Sequence, residues 1–166
     1  GVLAGNAGLS LFQTVLMSVI VYAGSAQLMA VALIAQGLHP LSIILTTFVV
    51  NLRHLLMSAS LAGYLQRWKT VQVATFCFEL TDETFGVHSL RFEKGETTPA
   101  PALIINLVCQ LAWVLGSFVG AAAGAFIEDV RPIALDYALP AMFIALLILQ
   151  IKDRPRLWIA ILSGGL

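Results

Sequence analysis

The first 52 residues contain no Asp, Glu, Lys or Arg. As one helix they would measure about 78 Å at ~1.5 Å per residue, against a hydrocarbon core of about 30 Å. They must therefore hold at least two long apolar elements. A soluble domain is about one-quarter charged. This chain is 11% charged and 59% hydrophobic, with nine basic and nine acidic residues among 166 and a mean hydropathy of +0.91. Those few charges cannot cover a water-exposed surface, so lipid is the expected solvent. The expected fold is all-α: a polytopic transmembrane helical bundle with discontinuous helices, forming one transmembrane domain over residues 1–166.

Net charge is zero and basic residues are scattered, which disfavours nucleic acid as a partner. Cys77 and Cys109 form no CxxC or metal spacing and read as small core hydrophobes. No HExxH, GxSxG, GxGxxG or P-loop occurs, so nothing points to an enzyme, and no cofactor or metal is implied. No basic n-region precedes the first apolar run, so no secretory signal peptide is visible. Both ends read as trimmed, Gly1 as if already inside a helix and Leu157 to Leu166 as a run too short to span.

Five apolar blocks follow one another. Leu9 to Gln36, about 42 Å as a helix, is either a tilted span or two half-helices meeting at Ala23-Gly24-Ser25-Ala26-Gln27, where small residues favour a break. Gly37 to Pro40 is a turn, with Gly ending one helix and Pro opening the next. Leu41 to Leu65 is centred on Asn51-Leu52-Arg53-His54. Gln66 to Lys69 is a polar loop with an interfacial Trp68. Thr70 to Leu90 is centred on Glu79 to Thr84, and Arg91 to Pro101 is the most water-like loop. Ala102 to Ile127 carries no charge. Pro132 to Ile151 contains Asp136 and Pro140. Basic loops at Arg67/Lys69, Arg91/Lys94 and Lys152/Arg154/Arg156 contrast with the acidic Glu128 to Arg131. If basic means cytoplasmic, the third block enters and leaves on one face as a re-entrant pair. The competing reading is a plain span with one basic loop misplaced.

Ionisable groups at membrane depth are costly and mark function. Arg53 lies at the middle of its block. Thr47, Asn51, His54 and Ser58 follow steps of four, three and four, which places them on one helical face with Arg53 at its edge. That face lines a substrate or proton path, or serves interhelical hydrogen bonding. Thr75, Glu79 and Asp82 follow steps of four and three, and Glu83 lies four after Glu79. A helix through them would carry three carboxylates together, making Glu79, Asp82 and Glu83 candidate proton carriers and possible counter-charges for Arg53. An Arg53 pairing with Asp82 or Glu83 is expected. Gly24, Ser25 and Gln27 offer small and polar groups at a broken helix, where exposed backbone binds ligands; a packing notch is the alternative. Gly116, Gly120 and Gly124 form consecutive GxxxG steps, with Asn106, Gln110 and Ser117 on roughly the same face, and read as a close helix contact.

Ala23 to Gln27, Asn51 to His54, Thr81 to Phe85, and Asp136-Tyr137-Ala138-Leu139-Pro140-Ala141-Met142-Phe143, in this order, resemble the AzlC family of bacterial branched-chain amino acid exporters. The resemblance covers essentially the whole chain. It implies the large subunit of a two-component permease of the bacterial inner membrane, paired with a small hydrophobic AzlD-type subunit and moving leucine, isoleucine, valine and methionine outward. A homo-oligomer is compatible with it. On this reading Gly24, Ser25, Gln27, Asn51, Arg53 and His54 bind substrate, and Glu79, Asp82 and Glu83 couple protons to antiport. A passive channel for small neutral solutes and a non-transporting membrane subunit remain open alternatives.

Overall fold

A computed structural model describes residues 1–124 and, beyond them, only Ala141 and Ile144. The acidic loop at 128–131, the block at 132–151 with Asp136 and Pro140, the basic loop at 152–156 and the last apolar run therefore lie outside the described residues. Those described within 1–124 all belong to one compact unit, Gly1–Glu128. They form α-helices: α1 (Val2–Asn6), α2 (Leu11–Ile20), α3 (Gly24–Ala35), α4 (Pro40–Leu61), α5 (Thr70–Phe78), α6 (Asp82–Glu93) and α7 (Pro99–Gly124), with a 3-10 turn at Ala62–Tyr64.

The first and third apolar blocks are each broken. The third block breaks at its polar centre, Glu79 to Thr81; the first breaks at Val21 to Ala23, just before the expected small-residue segment, because Gly24 to Gln27 form the first turn of α3. Helices α4 and α7 are unbroken, long and apolar enough to cross a bilayer. Helix α4 exposes Leu41, Ile44, Leu45, Phe48, Val49, Leu55 and Leu56 on its outer face, while Thr47, Asn51, Arg53, His54 and Ser58 are half-buried on the other.

The arms of each broken block run back on themselves. Trp68, just before α5, donates its indole N–H to the carbonyl of Thr97, just after α6, at 2.8 Å. Its ring meets Phe76 edge-on at 5.3 Å and Phe92 at 6.2 Å. The start of α5 therefore lies beside the end of α6, and the pair is a re-entrant hairpin. The first block does likewise. Thr14 and Met17 on α2 face Val31 and Leu28 on α3 across a shared cleft. Each arm of nine to twelve residues measures about 14–18 Å, half the ~30 Å hydrocarbon thickness. The loops at 66–69 and 94–98 thus lie on one face. Two boundaries differ from the sequence reading. Trp68 is buried at 9% exposure rather than interfacial, because it fills the α5–α6 hairpin. The water-like loop shrinks to 94–98, because Arg91 remains in the last turn of α6, paired with Glu96 at 2.9 Å.

The sequence reading missed that the pattern occurs twice. Short helix, short helix, long helix run from Leu11, Gly24 and Pro40, and again from Thr70, Asp82 and Pro99, 58 or 59 residues later. Both first arms carry Gln at the third helical position, Gln13 and Gln72, bonded back to the residue that precedes the helix. Both second arms end in a glycine of positive φ, Gly37 at 68° and Gly95 at 84°. Each closes the same pair of bonds: Gly37 N–H to Ile34 and Leu38 N–H to Leu33, then Gly95 N–H to Phe92 and Glu96 N–H to Arg91. A side chain with Cβ disfavours that left-handed backbone. Both long helices open on proline, where the missing N–H costs nothing. The polar face of α4 returns on α7 at an offset of 59: Thr47 and Asn106, Asn51 and Gln110, His54 and Trp113, Ser58 and Ser117. Each copy is one half-depth hairpin plus one crossing. A single crossing per copy brings the two hairpins in from opposite faces, an inverted repeat of the kind that builds many transporters.

The hairpin assignment is checked by labelling. With Cys77 and Cys109 replaced by serine, a membrane-impermeant maleimide is expected to reach Gln66→Cys and Glu96→Cys from the same face of sealed vesicles, and Leu38→Cys from the other. Labelling of positions 66 and 96 from opposite faces would replace the hairpin with a through-span.

Candidate functional site

The two breaks converge on Arg53. Its Nη2 donates to Ser25 Oγ at 2.6 Å, in the first turn of α3. Its Nη1 pairs with Asp82 Oδ2 at 2.8 Å, in the first turn of α6. The side chains are 28% and 22% exposed, so the pair is half-buried. A central arginine of one long helix thus ties together the inner ends of both hairpins.

The two inner helix ends are not alike. Helix α6 is capped: Thr81 Oγ accepts from the Thr84 N–H, and Asp82 and Glu83 set negative charge against the positive end of the helix dipole. Helix α3 follows Ala23, which has no side-chain acceptor, and its first turn has no acid. Its leading N–H groups therefore present uncompensated positive potential beside the Arg53 guanidinium. An anion is the natural complement of that arrangement. Beside it on α4, Asn51 Oδ1, Arg53 Nε and His54 Nε2 are buried without a hydrogen-bond partner, as is Glu79 Oε2 at the end of α5. His54 Nδ1 faces the Asn51 carbonyl at 3.2 Å. Buried polar atoms are normally satisfied, so three within one turn of α4 mark a site rather than a core.

Of the sequence-derived candidates, Ser25, Arg53 and Asp82 meet directly. Asn51 and His54 lie one turn or less from Arg53 on α4. Glu79 ends α5 and is 7% exposed. Glu83 does not join them. The expected stripe Thr75–Glu79–Asp82–Glu83 requires an unbroken helix, and the helix stops between Glu79 and Asp82. Thr75 and Glu83 consequently turn outward and are exposed.

Gln27 has a different task. Its amide nitrogen donates to the Met17 carbonyl at 3.0 Å and to the Val21 carbonyl, and its oxygen accepts from Trp113 Nε1 at 2.9 Å. Those carbonyls lie at the end of α2 and already accept from the Val21 and Ala23 N–H groups, so the amide gives each a second donor. Both ends of the amide are thus engaged by protein. Gly24 lies against the same indole: a Cβ there would come within 3.0 Å of the Trp113 ring. Trp113 went unnoticed in the sequence because a tryptophan in an apolar run looks like packing; its counterpart His54 was the available signal.

Helix α7 supplies the remaining closures. Gln110 donates to the Val19 carbonyl at 3.4 Å, and Ser117 bonds Ser18 at 2.7 Å. Asn106 donates to the Phe76 carbonyl at 3.4 Å and accepts from His88 Nε2 at 2.8 Å, both side chains fully buried. The glycine stripe is only partly a contact. A Cβ at Gly120 or Gly124 would lie 3.2 Å from the backbone of Gly1 or Val2, but none of the neighbours approaches Gly116 within 4 Å. Gly116 lines the cleft instead. Among the described residues no three His, Cys, Asp or Glu side chains cluster as a metal site.

Apolar crossings, half-depth hairpins and a charged centre define a polytopic all-α membrane protein with a polar interior. Residues 1–127 match the family model described as "AzlC protein", and the chain belongs to that family. It is 29% identical to the inner membrane protein YgaZ of Escherichia coli, over all of this chain and 71% of that one. It is 33% identical to an uncharacterized membrane protein of Archaeoglobus fulgidus, over 93% of this chain and 67% of that one. It is 24% identical to the branched-chain amino acid transport protein AzlC of Bacillus subtilis, over all of this chain and 65% of that one. No solved structure matches it.

Gln27→Leu is expected to lower stability by about 1–3 kcal/mol, because it strips a partner from buried carbonyls and from the Trp113 N–H. Gln110→Leu, at a longer and more exposed bond, should cost less than 1 kcal/mol. Thermal melting in detergent measures both, and equal losses would mean that Gln27 does not close the break.

Proposed function

We propose that this chain forms the translocating core of a secondary transporter that exports branched-chain amino acids across the bacterial inner membrane, coupled to protons and assisted by a small hydrophobic AzlD-type subunit. The observation that carries the reading is Arg53 bridging the inner ends of two opposed hairpins. A zwitterion with an apolar side chain fits its chemistry. The substrate carboxylate is received by Arg53 and the uncapped first turn of α3, where two positive sources converge. It displaces the Asp82 carboxylate, which already accepts the same guanidinium. Asp82, once released, faces the substrate ammonium, which keeps the centre neutral, or takes up a proton, which leaves it with one net positive charge. Glu79, buried at the other lip of the break, is the second proton carrier. His54 and Asn51 complete the polar wall with their unpartnered atoms.

Support comes from three sides: an ionic pair at membrane depth, inverted hairpins whose inner ends meet there, and a relative named as a branched-chain amino acid transport protein. Alternating access follows from rocking one copy of the repeat against the other, with Arg53–Asp82 as the contact that is broken and remade.

The full-length protein with its small partner, reconstituted in proteoliposomes, is expected to move leucine and valine in response to an imposed pH gradient. Asp82→Asn should abolish gradient-driven movement while preserving exchange of labelled for unlabelled leucine. Arg53→Lys should keep the charge but lose the two-armed geometry, lowering kcat/KM by roughly tenfold or more, in line with the 1.4 kcal/mol per decade that one charge-assisted hydrogen bond supplies. Flux that is indifferent to the gradient would turn the reading into a facilitator; no flux under any gradient would end it.

A further inference from the structure

The two hairpins are built alike but filled differently. Inside α5–α6, Phe76, Phe92 and Trp68 pack into a solid aromatic core, with Met57 of α4 against them. Inside α2–α3 the matching positions are smaller. Met17 stands 59 residues before Phe76, and Thr14 59 before Val73. On the long helices, Gly116 of α7 stands where α4 has Met57. The result is a cleft of about 220 Å³ between α1, α2, α3 and α7. An apolar cavity of about 150 Å³ already takes up benzene, so a four-carbon aliphatic group fits here with room to spare.

Its walls suit such a group. Met17, Val31 and the Trp113 ring are apolar, and the two serines, Ser18 and Ser117, satisfy each other at 2.7 Å. One polar atom in the cleft wall is left over: Thr14 Oγ, on a side chain 1% exposed, has no hydrogen-bond partner. A buried hydroxyl left unmatched costs about 1–3 kcal/mol, and it is retained on a cleft otherwise self-sufficient. The cleft also abuts the uncapped turn of α3. Ser25 on that turn reaches Arg53, and Gln27, two residues on, forms part of the cleft wall.

We infer that the hollow α2–α3 hairpin is the subsite for the substrate's branched aliphatic side chain, that Thr14 Oγ contacts the bound substrate, and that Gly116 at the rim sets the size accepted. The inference rests on the transport reading above and adds to it the place and the measure of selection. The carboxylate end sits at Arg53 and the first turn of α3; the side chain points along that turn into the cleft. The second hairpin, solid with aromatic rings, has no such room, so the two copies divide the work.

The test is a size series at a position where an added Cβ meets no neighbour within 4 Å. In the full-length protein in proteoliposomes, Gly116→Ala, Gly116→Val and Gly116→Leu are compared for uptake of alanine, valine and leucine. Leucine KM is expected to rise stepwise, by about tenfold or more at Gly116→Val, the range that a methylene-sized misfit produces, while alanine KM changes less than about twofold. Thr14→Val should raise leucine KM severalfold with a melting temperature unchanged or higher, since it removes an unmatched buried hydroxyl. A merely structural Thr14 would leave KM where it was. If the unaltered protein moves leucine but the Gly116 series weakens alanine and leucine alike, or weakens neither, the subsite is wrong and the transport reading stands. If the unaltered protein moves no branched-chain amino acid, both fall.

Discussion

A helix that stops inside lipid leaves carbonyl and amide groups with no water to take them, and everything else in this fold answers to that constraint. There are two such stops. At the first, the end of α2 is closed by the Gln27 amide, and Gln27 is in turn held by Trp113, while Gln110 takes the Val19 carbonyl. At the second, the end of α5 is met by Asn106, fixed by His88. Three of these side chains, Asn106, Gln110 and Trp113, lie on one face of α7. That helix is therefore the frame on which both hairpins are hung, and its polar residues are structural where those of α4 are chemical. Of the two helix starts at the breaks, that of α6 has a Thr81 cap and two acids, while that of α3, next to Arg53, has neither.

The repeat sets a charged junction and an uncharged one at equivalent places. The centre of α4 reaches the first turn of α6 through Arg53 and Asp82. The equivalent centre of α7 reaches the first turn of α3 through Trp113, against Gly24. The two junctions exchange places under the internal symmetry, but one is an ion pair and the other an indole against a glycine. The same geometry occurs twice, ionic at one junction and beside a hollow hairpin at the other.

Much of this was legible in the residues. Gly24 and Ser25 suggested a break in the first block, but they open α3 and the break falls just before them, at Val21 to Ala23. Gly37 with Pro40 announced a turn because each has a distinct backbone preference. Arg53 called for a counter-charge, and the nearest acids in sequence included Asp82. Arg67/Lys69 and Arg91/Lys94 left the third block either re-entrant or a plain span, and the hairpin of α5 and α6 matches the first. What misled was periodicity read through a break: Thr75, Glu79, Asp82 and Glu83 share a face only on a helix that the chain does not make. The repeat stayed hidden because its copies share chemical type and not identity, asparagine for threonine, glutamine for asparagine, tryptophan for histidine. The cleft was invisible too, since a glycine in a small-residue stripe reads as contact and only the absence of neighbours around Gly116 tells it apart.

The Arg53–Asp82 pair also has an electrical consequence. At rest the two charges cancel, so the centre can be displaced across the bilayer without work against the membrane potential. Once Asp82 is neutral, Arg53 stands alone, and carrying one elementary charge through 100 mV is worth about 2.3 kcal/mol. The protonation state of a single carboxylate therefore decides whether this centre is blind to voltage or driven by it.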